Sequence, residues 1–147
     1  RSTLFPYTTL FRSPADLEEA MALPFVTPSD LPAGARVCVY GTGAAGRALV
    51  RHLRGRGACV AGYIDSFRDG ALDGLPIHRL DRYLAVRRPE DAVLIGSSYG
   101  TDIERRLVAH GITDALDGLP LAMALLEQDR MAARVTDGRI RLTRPEV

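Results

Sequence analysis

From Arg36 onward, short apolar runs alternate with stretches of helical periodicity. Val37-Cys38-Val39-Tyr40 is an unbroken apolar run ending at a glycine, the pattern of a strand covered on both faces. Ala45, Ala48, Leu49 and Leu53 then recur at helical spacing, predicting a helix over Ala44–Arg54 that stops at Gly55 and Gly57. A second strand is predicted over Cys59–Ile64, ending at Asp65, followed by a turn-rich stretch from Ser66 to Gly74 and a short strand at Pro76–His78. Leu80–Val86 reads as a short helix and Ala92–Gly96 as the most plainly buried strand. Thr101–His110 carries a capping-box pattern, Thr101-x-x-Glu104, at its start and Gly111 at its end. A last strand is predicted over Ile112–Leu116, a last helix over Leu119–Ala133, and an Asp137-Gly138 hairpin in the tail. The hexapeptide Ala-Leu-Asp-Gly-Leu-Pro occurs twice, from Ala71 and from Ala115; the residues that follow differ, so it reads as reused turn chemistry and not as a repeat.

Strands alternating with helices predict an α/β domain, an open parallel sheet with helices on both faces. Four segments follow from the pattern: residues 1–13, a linker or remnant of a preceding domain at 14–35, the alternating domain at 36–118, and a C-terminal helix and tail at 119–147. Residues 14–35 are broken by Pro24, Pro28, Pro32 and Gly34. The opening Arg1–Ser13 matches the translation of a short-read sequencing adapter and is set aside from fold reasoning. On that reading the chain is expected to be a fragment of a longer protein.

Composition narrows the chemistry. All 19 basic residues are Arg, which excludes Schiff-base lysines, a P-loop lysine and the lysine of a short-chain dehydrogenase. The two Cys and three His fall at no metal-ligand spacing, so no metal site is expected. Cys38 and Cys59 both lie in apolar runs and are expected to be small buried hydrophobes and not a disulfide, which suggests a cytoplasmic setting. Without Arg1 and Arg12 the charge is close to neutral and no basic stretch remains, giving no case for nucleic acid. No apolar run approaches ~18 residues, so no membrane insertion is expected.

The chemistry that remains is binding. Gly41-Thr42-Gly43-Ala44-Ala45-Gly46 has G-x-G-x-x-G spacing, follows an apolar strand, opens an amphipathic helix, and is followed by Asp65 at the next strand end. In that context Gly41 permits a tight turn, Gly43 lets backbone approach a pyrophosphate, and Gly46 allows close helix–strand packing. The helix start offers unpaired N–H groups and a positive dipole end to phosphate. Arg47 stands in the first helical turn, where its side chain could fold over a phosphate, and Ser97, Ser98 and Tyr99 follow a strand's carboxyl end, where their hydroxyls could reach phosphate or ribose. Asp65 is expected to accept hydrogen bonds from a ribose 2′-hydroxyl and so favour NAD over NADP, with Arg68 opposing that preference. His52, His78 and His110 read as helix-flank or surface residues, and the Arg87-Arg88 and Arg105-Arg106 pairs as solvated helix ends. No catalytic acid–base set is legible.

Arg36–Gly118 resembles the Rossmann-type nucleotide-binding domains of bacterial surface-polysaccharide enzymes: those of nucleotide-sugar dehydratases and epimerases, of small sugar acyltransferases, and of accessory domains beside sugar methyltransferases. The resemblance rests on Gly41–Arg47, Gly62-Tyr63-Ile64-Asp65, Gly74-Leu75-Pro76-Ile77 with Leu80–Leu84, Ile95-Gly96-Ser97-Ser98 and Gly111-Ile112. Such relatives often carry a second acid where this chain has Ser66. The resemblance implies a bound nucleotide, NAD or a nucleotide-sugar, and a fused catalytic domain in the parent chain. Two other readings stand beside it: a structural or regulatory docking module whose glycine turn is a relic, and a complete small redox enzyme. A methyltransferase-type glycine loop fits less well, because the first strand ends Val39-Tyr40 without an acid.

Overall fold

The structure is a computed structural model and describes Leu31 and residues 34–136. The adapter-like segment, nearly all of the 14–35 linker and the Asp137-Gly138 hairpin lie outside the described residues. Six strands form one sheet: β1 (Arg36–Tyr40), β2 (Cys59–Asp65), β3 (Gly70–Leu72), β4 (Leu75–Arg79), β5 (Asp91–Ile95) and β6 (Leu116–Asp117). Four helices connect or follow them: α1 (Ala44–Gly55), α2 (Leu80–Val86), α3 (Gly100–Ala109) and α4 (Leu119–Thr136). The sheet order is β3-β4-β2-β1-β5-β6, parallel except for the β3–β4 pair. This is a Rossmann-like open α/β sheet with helices on both faces.

The apolar runs explain the layers. Along β1, successive side chains alternate between faces. Val37 and Val39 join Leu49 and Leu53 of α1 and Leu121, Ala122 and Leu125 of α4 in one core. Cys38 and Tyr40 point the other way, into a second core with Tyr83 of α2 and Ile103 and Leu107 of α3. A central strand therefore has no polar face to alternate with, and its sequence is continuously apolar. Helix α4, placed outside the alternating domain on the sequence, shares its core with α1 and the sheet, because Leu121, Ala122 and Leu125 fill the face that α1 leaves open.

Four local expectations are corrected. The turn-rich stretch contains β3, which pairs with β4 through a two-residue turn in register Leu72↔Leu75. Asp73 and Gly74 both have positive φ (55° and 78°), the requirement of a type I′ hairpin turn. Thr101 does not cap α3: that helix begins at Gly100 with Tyr99 at the N-cap and no side-chain capping bond. Ile112 is not in a strand either. It follows Gly111 (φ 86°) and donates its N–H to the Leu107 carbonyl at 2.9 Å, closing α3 in a Schellman motif, so that pairing with β5 starts only at Leu116. Cys59 is exposed and Cys38 buried, and both are free thiols, so only Cys38 behaves as a small core residue.

Candidate functional site

Strand order reverses at β1: the chain moves from β1 to β2 on one side and returns to β5 on the other. Loops leaving the carboxyl ends of such strands diverge and leave a crevice between them. Here the crevice is a cavity of about 660 Å³, within the ~300–1,000 Å³ range of small-molecule sites. Its lining brings together Gly41, Thr42, Gly43, Ala44, Ala45, Asp65, Ser97 and Ser98 of the sequence-predicted set. Gly46 and Arg47 are not in the lining.

The floor is the glycine turn. Gly41 (φ 134°) hands its N–H to the Ile64 carbonyl at 2.9 Å, and a Cβ there would sit on the Gly96 carbonyl oxygen. A Cβ at Gly46 would overlap the Gly41 carbonyl oxygen, so Gly46 serves the helix–strand contact and not the cavity. At Gly43 a Cβ would meet no protein atom within 4 Å, which leaves the backbone open on the cavity side. The first hydrogen bond of α1 runs from Arg47 N–H to the Gly43 carbonyl at 3.0 Å. The N–H groups of Ala44, Ala45 and Gly46 precede that ladder, and no side chain caps them.

Arg47 goes elsewhere. Its Nε lies 3.6 Å from a carboxylate oxygen of Asp73, in the β3–β4 turn, where Tyr63 Oη also donates at 3.1 Å. Arg54 donates to the Asp73 carbonyl at 3.0 Å, so two of the three arginines of α1 anchor the hairpin. Its position in the first helical turn suggested phosphate, and the sequence showed no hairpin there to take it.

Asp65 stands at the end of β2 and is heavily engaged. Its Oδ2 accepts from Thr42 Oγ1 at 2.8 Å, and its Oδ1 accepts the N–H groups of Phe67 (2.8 Å) and Arg68 (3.1 Å). Burial works to raise its pKa, but these three hydrogen bonds and the Arg68 charge outweigh it and hold the carboxyl below its usual value. The first variable position of the glycine motif is thereby tied to the second strand. On the other wall, Ser97 Oγ accepts the Tyr99 N–H at 3.1 Å, so its hydroxyl helps fix the β5–α3 loop. Ser66, in the place of a second acid, bonds Tyr40 Oη at 2.7 Å.

The cavity also gathers Tyr99, whose hydroxyl the sequence offered to phosphate or ribose, and four residues not singled out as a site: Tyr40, Phe67, Asp102 and Arg106. Arg105 pairs with Asp102 at 3.1 Å and is the solvated residue expected of it, whereas Arg106, one position on, faces the cavity. The signal for these four was proximity to a strand's carboxyl end, readable only once the strand order is known. The histidines lie off the site: His110 bonds the Arg106 carbonyl at 2.8 Å, and burial, helped by Arg56, lowers the pKa of His52. Burial pushes the Cys38 thiol up to about 11, which suits a core residue and not a nucleophile. Among the described residues no group of His, Cys, Asp or Glu is arranged to hold a metal ion, and no helix is long and apolar enough to cross a membrane.

Fold and crevice define an α/β protein with an open sheet of Rossmann-like order and a single-ended cleft at its strand reversal. No protein-family model matches the chain, and no curated protein matches it.

Proposed function

We propose that this domain binds a nucleotide, NAD or a nucleotide-sugar, in the cleft between β2, β1 and β5. The observation that carries the reading is the convergence of an open glycine backbone, an uncapped helix N-terminus and a strand-end carboxylate on one cavity of ligand size. The residues fit the group. The bare backbone at Gly43 leaves room for a pyrophosphate, and the N–H groups of Ala44, Ala45 and Gly46 would hold it. Asp65 Oδ2 keeps one acceptor direction beyond its bond to Thr42, which would serve a ribose 2′-hydroxyl and favour NAD over NADP. A carboxyl held below its ordinary pKa is a poor proton shuttle near neutral pH, which supports a holding role. The reacting chemistry would then belong to a fused catalytic domain of a carbohydrate-modifying enzyme, as the sequence resemblance implies.

The test is a thermal-shift panel of NAD, NADP and UDP-sugars on wild type and Gly43→Val. A ligand at a hundred times its dissociation constant stabilises by about 2.7 kcal/mol. The variant, whose Cβ would meet no protein atom within 4 Å, should keep its own melting temperature and lose that gain. If no nucleotide stabilises the wild type, the binding reading fails and a docking module with a relic turn replaces it.

A further inference from the structure

Two aromatic rings stand at the cavity in water: Phe67, 83% exposed, and Tyr99, 71% exposed. Phe is among the residue types most often fully buried, so a ring left this bare beside a cleft needs an explanation. Its exposure is not slackness in the loop. The Phe67 N–H is held by a side-chain oxygen two residues back, Asp65 Oδ1, at 2.8 Å. The Tyr99 N–H is held in the same way by Ser97 Oγ at 3.1 Å. Each loop leaves the carboxyl end of a strand through a side-chain-braced turn, and each presents one ring. The strands concerned, β2 and β5, flank β1 on opposite sides, so the rings rise from opposite walls with the glycine turn between them.

We propose that Phe67 and Tyr99 form an aromatic clamp that stacks on the planar heterocycle of the bound ligand while the glycine turn holds its phosphates; this deepens the nucleotide reading and rests on it. The spacing suits the task. Two inter-strand steps separate β2 from β5 by roughly 10 Å, and a ring stacked on both faces needs two centroid separations of about 4.5–7 Å. Both N–H braces come from residues the sequence assigned to ribose or phosphate contact, so Asp65 and Ser97 act at least in part by positioning the rings. Arg106, which also faces the cavity, has no carboxylate within ion-pair distance among the described residues and adds a cation beside the ring site.

The chain contains no Trp, so Tyr99→Trp introduces a single, selectively excitable indole at the clamp. Titration of that variant with ADP and with UDP should quench its emission, and inorganic pyrophosphate should not. Phe67→Leu and Tyr99→Leu, at exposed positions where folding is not at stake, should each weaken the better-bound nucleotide about tenfold while leaving pyrophosphate affinity unchanged. Equal nucleotide affinity in wild type and both leucine variants overturns the clamp and leaves the nucleotide reading standing. Failure of ADP, UDP and pyrophosphate alike to bind the wild type overturns both.

Discussion

Asp91 and Asp65 are carboxylates at opposite ends of the sheet with opposite jobs. Asp91 opens β5, is 3% exposed, and takes Arg36 Nε at 2.8 Å, Arg36 Nη2 at 3.2 Å, Tyr83 Oη at 3.2 Å and Arg88 N–H at 3.1 Å. With four donors on it and almost no exposure it is closed to a ligand, and the group ties β1, β5 and α2 together. Burial works to raise its pKa, but the Arg36 hydrogen bonds, the Arg88 N–H and the Arg36 charge hold it below the ordinary value. A depressed folded-state pKa contributes stability that is present above the unfolded value of about 3.9 and is lost as pH falls through the folded one. Asp91→Asn should therefore cost about 3 kcal/mol at pH 7, because Arg36 is left without its counter-charge. That is a drop in melting temperature on the order of 10 °C. Melting curves from pH 7 down to pH 2 should show the gap between wild type and variant closing below about pH 4. A gap that persists unchanged at pH 2 would mean the carboxylate charge is not what holds this corner. Asp65 differs in being only half-buried and lining the cavity, and that access separates a candidate site carboxylate from a structural one.

One hexapeptide appears in two structures here, which sets a limit on local reading. Ala71–Pro76 forms a hairpin, with Asp73 and Gly74 at positive φ and Leu72 paired to Leu75. The identical Ala115–Pro120 instead runs from the two-residue β6 into α4, and Asp117 Oδ1 accepts the Leu119 N–H at 3.0 Å to start the helix. In the first copy the following Ile77 enters a strand beside β2. In the second the following Leu121 and Ala122 drop into the α1 core. Tertiary packing decides what the shared turn chemistry leaves open, and β3 was illegible for that reason. Strong terminators were legible: Gly111 was expected to end α3 and does so with Ile112 buried behind it. The two kinds of glycine make a paired prediction. Gly111→Ala meets no atom within 4 Å and pays only for its positive φ, about 1–2 kcal/mol. Gly46→Ala drives its Cβ into the Gly41 carbonyl and must push α1 off the sheet, so it should be much the more damaging in urea denaturation. Equal losses would mean that α1 can shift away from β1 at little cost.

Seen across the sheet, the molecule has a locked end and an open end. At the amino ends of β1 and β5 the Arg36–Asp91 pair closes the structure, and the smaller hollow there, about 270 Å³, borders an arginine already committed to that pair. At the carboxyl ends, uncapped amides, exposed rings and a partly free carboxylate surround the larger cavity. The contiguous half of this site was readable in the sequence, because the glycine motif carries its own spacing and Asp65 follows at a strand end. Phe67 and Arg106 were not, since they belong to segments brought together only by the β2-β1-β5 order, and Tyr99 was read for its hydroxyl and not for its ring. The polarity makes a prediction about the whole chain. Amides in surface loops exchange through local opening, so a ligand bound across them slows their exchange directly, whereas core strands respond only through global stability. Hydrogen exchange with saturating ADP should therefore slow first and most at Thr42–Gly46, Phe67–Arg68 and Ser97–Tyr99. The Arg88 amide at the locked end, bonded to Asp91 with or without ligand, should change no more than the global stabilisation requires. Protection centred on Arg36, Arg88 and Asp91 instead would place the ligand at the wrong end of the sheet and break the link between strand reversal and binding.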